Sequence, residues 1–273
     1  MSGGDSSLVF VDGRYAELGT RLREEYARAR PFPHVVIDDF LPPATADRVL
    51  EEFPAPGSID WIRFRHGGAV KLGTRHELQF PEFTRQLLYQ FNSSSALQLL
   101  ASLTGIRGLV TDPYFEGGGL HQIEPGGFVK VHADFNVHPQ LRLDRRINLL
   151  LYLNKDWKEE YGGHLELWNR AMSRCEKKIL PVFNRCVIFS ITDMAFHGHP
   201  EPLTCPVGMT RKSLALFYYT NGRPEEEQAA KHSSLYQYRP GEMPFRRRVS
   251  RSGRRLLHRV FSRLAERIRP PLY

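Results

Sequence analysis

The 273-residue chain has no long apolar run. The longest, Leu149 to Leu153 with Ile147 two residues before it, is far short of the ~20 residues that a bilayer-spanning helix needs, which excludes an integral helical membrane protein. It is also poor in cysteine. Cys175, Cys186 and Cys205 are odd in number and form no Cys-x-x-Cys pair, so a disulfide scaffold is excluded and a reducing, cytosolic setting with buried thiols is expected. The opening MSGGDSSLVFVDG has neither the basic start nor the apolar stretch of a secretory signal. There is no internal repeat, and no low-complexity stretch before the arginine-rich end. With 41% hydrophobic and 25% charged residues the composition is globular, which excludes disordered and collagen-like chains.

Charge is scarce in a less obvious way. The net charge of +8 is carried by the segment from Gly241 to Tyr273, which has ten arginines against Glu242 and Glu266. Residues 1–240 are therefore neutral, and the body of the chain must be read for its own chemistry rather than as a basic surface.

Hydrophobic period divides that body. Leu18, Leu22 and Tyr26 recur at i, i+4 and i+8 within 14–30 and predict a helix stopped by Pro31 and Pro33. HVVIDDF (34–40) predicts a short strand, 41–54 a second helix opened by Pro42 and Pro43, and IDWIRFRH (59–66) another strand. The apolar residues of 81–104 predict a long helix or a helix pair broken near Asn92 to Ser95. After Gly105 the period shortens from about 3.6 to 2. Strands are predicted over 120–135, 146–154, 164–169, 177–184, 185–191 and 211–220, separated by Gly, Pro and Asn turns. Short strands at this spacing after a helical flank suggest an antiparallel double-sheet barrel. The fold class expected is α+β with a jelly-roll, cupin-like core over 106–222. A mainly helical flank occupies 1–105, and an extension with a basic helix occupies 223–273.

One constellation carries chemistry. In His132-Ala133-Asp134 an imidazole and a carboxylate lie two apart on a predicted strand and leave the same face. A further histidine in Phe196-His197-Gly198-His199-Pro200 would complete a set of two histidines and one carboxylate. Such a triangular face leaves three positions open on an octahedral metal, the arrangement of non-haem Fe(II) oxygenases. A new strand opens shortly afterwards at Arg211, with Ser213 on the same face and Lys212 on the opposite one.

From about His121 to Thr220 the sequence resembles the 2-oxoglutarate/Fe(II)-dependent dioxygenases of the prolyl 4-hydroxylase-like group, through PGGFVKVHADF, RRINLLLYLNKDW, GGHLELW, RCVIFSI, FHGHP and TRKSLALFYYT in the family's order. The resemblance implies a double-stranded β-helix and an enzyme that takes Fe(II), 2-oxoglutarate and O2, with ascorbate as a stimulant. It would release succinate and CO2 while hydroxylating an unactivated C–H bond. It makes His132, Asp134 and His197 the iron ligands, His197 being preferred to His199 because it follows an aromatic residue and precedes glycine. It makes Arg211, with Ser213, the clamp on the far carboxylate of 2-oxoglutarate, since a guanidinium fork matches a carboxylate. Tyr152 would reach the same carboxylate, and Gln122 and Asn148 would line the same pocket. His121, His138 and His164 are expected at the surface or supporting the site from outside the ligand set. Trp157 and Trp168 are expected to pack, and Gly162-Gly163 to turn.

The family's substrates include prolyl or other residues in proteins, free amino acids and small natural products. The loop PEPLTCPVG (200–208) is long and stiffened by three prolines, so it either covers the active site or is an inert excursion. Two other readings stand beside the oxygenase: a cupin-like binding protein without turnover, and a basic nucleic-acid or ribosome-associated module. The end of the chain, RRLLHRVFSRLAERIRPP, places apolar residues at helical spacing beside arginines. That pattern fits a basic amphipathic helix packed on the domain, or one docked on an anionic partner such as a carrier protein, RNA or a membrane surface.

Overall fold

The computed structural model describes residues 9–10, 13–65 and 68–242. The basic helix expected near the C-terminus lies outside them. The chain to Gln237 forms one compact unit, and residues 238–242 are the described part of a second.

Four helices come first, α1 (Gly13–Arg28), α2 (Pro43–Glu51), α3 (Glu82–Phe91) and α4 (Ser94–Thr104). The expected break between the last two is made by the Ser93 hydroxyl, which accepts from the Ala96 N–H and caps α4. Interleaved with the helices are β1 (His34–Ile37), β2 (Ile62–Phe64) and β3 (Ala69–Gly73). The remaining strands are β4 (Val110–Thr111), β5 (Gly119–Ile123), β6 (Phe128–Ala133), β7 (Asp144–Tyr152), β8 (Leu165–Trp168), β9 (Cys175–Ile179), β10 (Cys186–Ser190), β11 (His197–His199), β12 (Arg211–Thr220) and β13 (Leu235–Tyr236).

The run 120–135, predicted as one strand, is two. Gly126 turns at φ 81°, a conformation costly to residues with a Cβ, and sends β6 away from β5 into the other wall. The run 177–184 contributes only its first residues, as the end of β9, and β3 is a strand that alternation did not predict.

The walls form a double-stranded β-helix. One runs β1-β10-β7-β12-β5-β3, the other β6-β11-β8-β9, and β3 joins them by pairing with both β5 and β6. Strand alternation sorts the first wall into two faces. Ile147, Leu149 and Leu151 of β7 and Leu214, Leu216 and Tyr218 of β12 pack with Tyr15, Leu18, Leu87, Leu88 and Leu103 of the helices. Asn148 and Leu150 of β7, with Arg211, Ser213, Ala215 and Phe217 of β12, face a cavity between the walls. Both faces of β7 are covered, which is why it reads as a nearly continuous apolar run. Each fully buried leucine there contributes about 1.5–3 kcal/mol, so the helical flank fixes the wall from which the cavity residues project. Among the described residues no helix is long and apolar enough to cross a membrane.

Candidate active site

The cavity, of about 370 Å³, is lined from both walls. At one end β6 and β11 are antiparallel neighbours with His197 directly opposite His132, and their rings lie 4.7 Å apart. Asp134, just past the end of β6, places one carboxylate oxygen 3.4 Å from His132 Nε2 and the other 3.4 Å from His197 Nε2. One atom from each residue lies within 4.8 Å of the others, so the three could hold a metal ion.

The hydrogen bonds behind this trio fit metal binding. His132 Nδ1 is 2.9 Å from the Lys130 carbonyl and His197 Nδ1 is 2.9 Å from the Ala195 carbonyl. A carbonyl only accepts, so each ring carries its proton on Nδ1 and turns the Nε2 lone pair toward Asp134, the arrangement that orients metal-binding imidazoles. Burial disfavours charge on His132 and lowers its pKa. Burial would raise the Asp134 carboxyl, but the Arg145 guanidinium beside it overcomes this, and the group lies well below the usual carboxylate range. Two imidazoles and one carboxylate, with no thiolate, form a donor set suited to Fe(II).

Arg145 is a residue of this cavity that the sequence pattern missed. Its guanidinium lies 3.2 Å from Asp134, donates from Nε and Nη2 to Asn148 Oδ1 at 3.0 and 2.7 Å, and sits 3.5 Å from the ring centre of Phe217 and 4.5 Å from that of Phe135. Asn148 in turn donates to Asp134 at 2.7 Å. Residues three apart on a regular strand point to opposite faces. Here β7 pairs Ile147 with Tyr218 but Arg145 with Tyr219, so one extra residue bulges out and brings Arg145 round to the face of Asn148.

At the other end of the cavity stand Arg211 and Ser213. Arg211 Nε donates to the Gly163 carbonyl at 2.8 Å and Nη2 to the Tyr152 hydroxyl at 3.3 Å, with the guanidinium 4.8 Å from the Tyr152 ring centre. Burial lowers the Arg211 pKa and raises that of Tyr152. Tyr152 is fully buried and reaches the cavity through Arg211. Lys212 does not line the cavity, whereas Lys71 of β3 does. Burial pushes the Lys71 pKa down to about 8 although Asp134 acts to raise it.

Gln122 does not line the cavity. It is expected in the pocket, but its amide donates to the Pro54 carbonyl at 3.0 Å and its oxygen accepts from the Thr210 hydroxyl at 2.7 Å. Period 2 places it on the face of β5 opposite His121, which lines the cavity with Nε2 3.0 Å from the Gly117 carbonyl. His138 is buried against Asp112 at 3.1 Å, and His164 meets Glu159 at 2.9 Å. Trp157 and Trp168 pack in separate clusters. The 200–208 loop buries Leu203 and Cys205 against Ile123 and Trp157 and contributes nothing to the cavity lining.

Residues 118–219 match the model of the 2OG-Fe(II) oxygenase superfamily. They are a 2-oxoglutarate/Fe(II) oxygenase domain. The oxygenase is similar in fold to two solved structures. A Pseudomonas putida prolyl-4-hydroxylase is 19% identical, with a TM-score of 0.51 over 74% of this chain and 99% of the other. A prolyl 4-hydroxylase from Phytophthora capsici is 22% identical, with a TM-score of 0.52 over 85% and 72%. The matched residues are those of an enzyme superfamily that uses Fe(II) and 2-oxoglutarate, and the two solved structures share the fold.

Proposed function

We propose that this oxygenase hydroxylates an unactivated C–H bond of an amino-acid residue in a protein, a free amino acid or a small natural product. His132, Asp134 and His197 hold the iron, and Arg211 with Ser213 holds the far carboxylate of 2-oxoglutarate. The observation that carries the reading is that two imidazoles with committed Nδ1 protons and one ionised carboxylate converge on a cavity whose other end presents Arg211. Fe(II) bound there would supply oxidative decarboxylation of 2-oxoglutarate, in which substrate–H, 2-oxoglutarate and O2 become substrate–OH, succinate and CO2.

The protein's share is position and exclusion of water. Arg145 and Asn148 keep Asp134 ionised and aimed. Tyr152 and the Gly163 carbonyl hold Arg211 along the wall. Phe64, Phe135, Phe217 and Tyr236 line part of the cavity, as does Lys71, and offer the substrate an apolar rest. The three free thiols support a reducing, cytoplasmic setting. The ten arginines after Gly241 support docking to an anionic surface, a role separate from catalysis, and deletion of 246–273 is expected to remove salt-sensitive binding to anionic vesicles and RNA without lowering succinate formation.

The test of the central reading is untargeted mass spectrometry on lysate incubated with enzyme, Fe(II), ascorbate and 2-oxoglutarate. Products heavier by one oxygen, matched by O2-dependent succinate, are expected in the protein or the metabolite fraction. Succinate-free incubations with every fraction would overturn it.

A further inference from the structure

His199 lies two residues beyond His197 and is 5% exposed, yet neither Nδ1 nor Nε2 has a hydrogen-bond partner. Buried polar groups are rarely left this way, and an orphaned pair of ring nitrogens calls for a missing partner. The ring lines the same cavity as Arg211 and Ser213. Its placement is built into the backbone. The register between β11 and β6 shifts between His197 and His199, and a Cβ on Gly198 would meet the Val129 and Lys130 carbonyls at 2.8 Å. Only glycine lets the strands approach so closely, with the two flanking histidines directed into the cavity.

Of the two histidines, His197 has its Nδ1 committed and its Nε2 beside Asp134, whereas His199 is outside the trio that could hold a metal. What His199 lacks is an acceptor for its N–H. Two of the five donors of Arg211 are already directed at the Gly163 and Tyr152 oxygens. A carboxylate arriving at Arg211 therefore has acceptor capacity to spare, and its negative charge suits a neighbourhood with the Arg211 and Lys71 cations.

We infer that His199 binds the cosubstrate, donating a ring N–H to the carboxylate of 2-oxoglutarate that Arg211 anchors. This rests on the assignment of Arg211 to that carboxylate. The ring N–H stays unpaired until the cosubstrate arrives, so His199 joins cavity filling to cosubstrate recognition and not to metal binding.

The test is calorimetric titration of 2-oxoglutarate into the Mn(II)-loaded full-length protein. His199→Leu is expected to weaken 2-oxoglutarate binding about 10- to 100-fold while Mn(II) affinity stays at the wild-type value, and His199→Gln, which keeps a donor, is expected to recover most of the loss. Wild-type 2-oxoglutarate affinity in His199→Leu overturns the inference, as does a fall in Mn(II) affinity or a Gln variant as weak as Leu. Arg211→Met in parallel separates the two readings: if it weakens 2-oxoglutarate and His199→Leu does not, only the His199 role fails, and if neither does, the anchoring by Arg211 fails. A measurement without variants uses Zn(II)-loaded wild-type protein labelled with 15N-histidine. Addition of 2-oxoglutarate is expected to bring the His199 ring N–H into slow solvent exchange, and an unchanged signal counts against it.

Discussion

The two ends of the cavity are built on opposite plans. At the metal end every support is in place: both Nδ1 atoms donate to carbonyls, and Asp134 is bracketed by Asn148 and Arg145. At the carboxylate end Arg211 is only partly engaged and His199 has no partner at all. The metal end is preorganised, with its ligands held before anything binds, whereas the other end is completed by its ligand. That division suits the roles proposed for the two ends: a rigid set of ligands selects geometry, and spare donors supply affinity.

The largest effects are expected at the three candidate metal ligands. His132→Ala, Asp134→Ala and His197→Ala are each expected to weaken Mn(II) or Fe(II) binding by more than the roughly 10–100-fold that loss of an outer support costs. Turnover should disappear and the fold remain, as followed by metal titration and circular dichroism. Retained metal binding in His197→Ala with loss in His199→Ala would exchange the roles assigned to the two histidines.

Next in size is Arg211→Ala. Loss of a charge-assisted contact in a mostly buried pocket is expected to cost about 2–4 kcal/mol, or roughly 30- to 1000-fold in 2-oxoglutarate affinity. Arg211→Lys should recover part of it. Lys212→Ala should leave the affinity unchanged in the same titration, because the alternation of β12 turns it away from the cavity. Reversal of the two effects would contradict the strand-face assignment.

A smaller effect sharpens the contrast. Asn148→Ala removes the donor to Asp134 and one anchor of Arg145, so metal affinity should fall by about 10- to 100-fold while 2-oxoglutarate affinity, measured at saturating metal, stays near wild type. Equal losses at both sites would mean that the two ends are a single coupled network.

The smallest effect falls on stability alone. Gln122→Leu leaves the Pro54 carbonyl and Thr210 hydroxyl without their partner and should destabilise the protein by about 1–3 kcal/mol in urea unfolding. Its 2-oxoglutarate affinity should be unchanged, which would distinguish a packing role from the pocket-lining role that the family resemblance implies.

Much of this architecture is legible along the chain because it depends on local periodicity. The change of period near Gly105, the helix pair parted at Asn92 to Ser95 and the apolar run of β7 each follow from neighbours a few residues apart. So does the shared face of His132 and Asp134, since a strand repeats every two residues and the pair needs no other part of the molecule. The separation of Arg211 and Ser213 from Lys212 rests on the same rule.

What tertiary structure decided is every relation between distant segments, together with those places where the period slips. Alternation alone puts Arg145 on the face opposite Asn148. A bulge whose cause is the pairing of β7 with β12 reverses that, and places a cation against Asp134 that no spacing could announce. Gln122 follows alternation faithfully and still leaves the pocket, because only the packed structure says which face of β5 looks inward. His197 and His199 are equivalent in spacing and both buried. The partners of their ring nitrogens separate them: His197 has the Ala195 carbonyl two residues before it and Asp134, which the pairing of β6 with β11 brings alongside, whereas His199 has none.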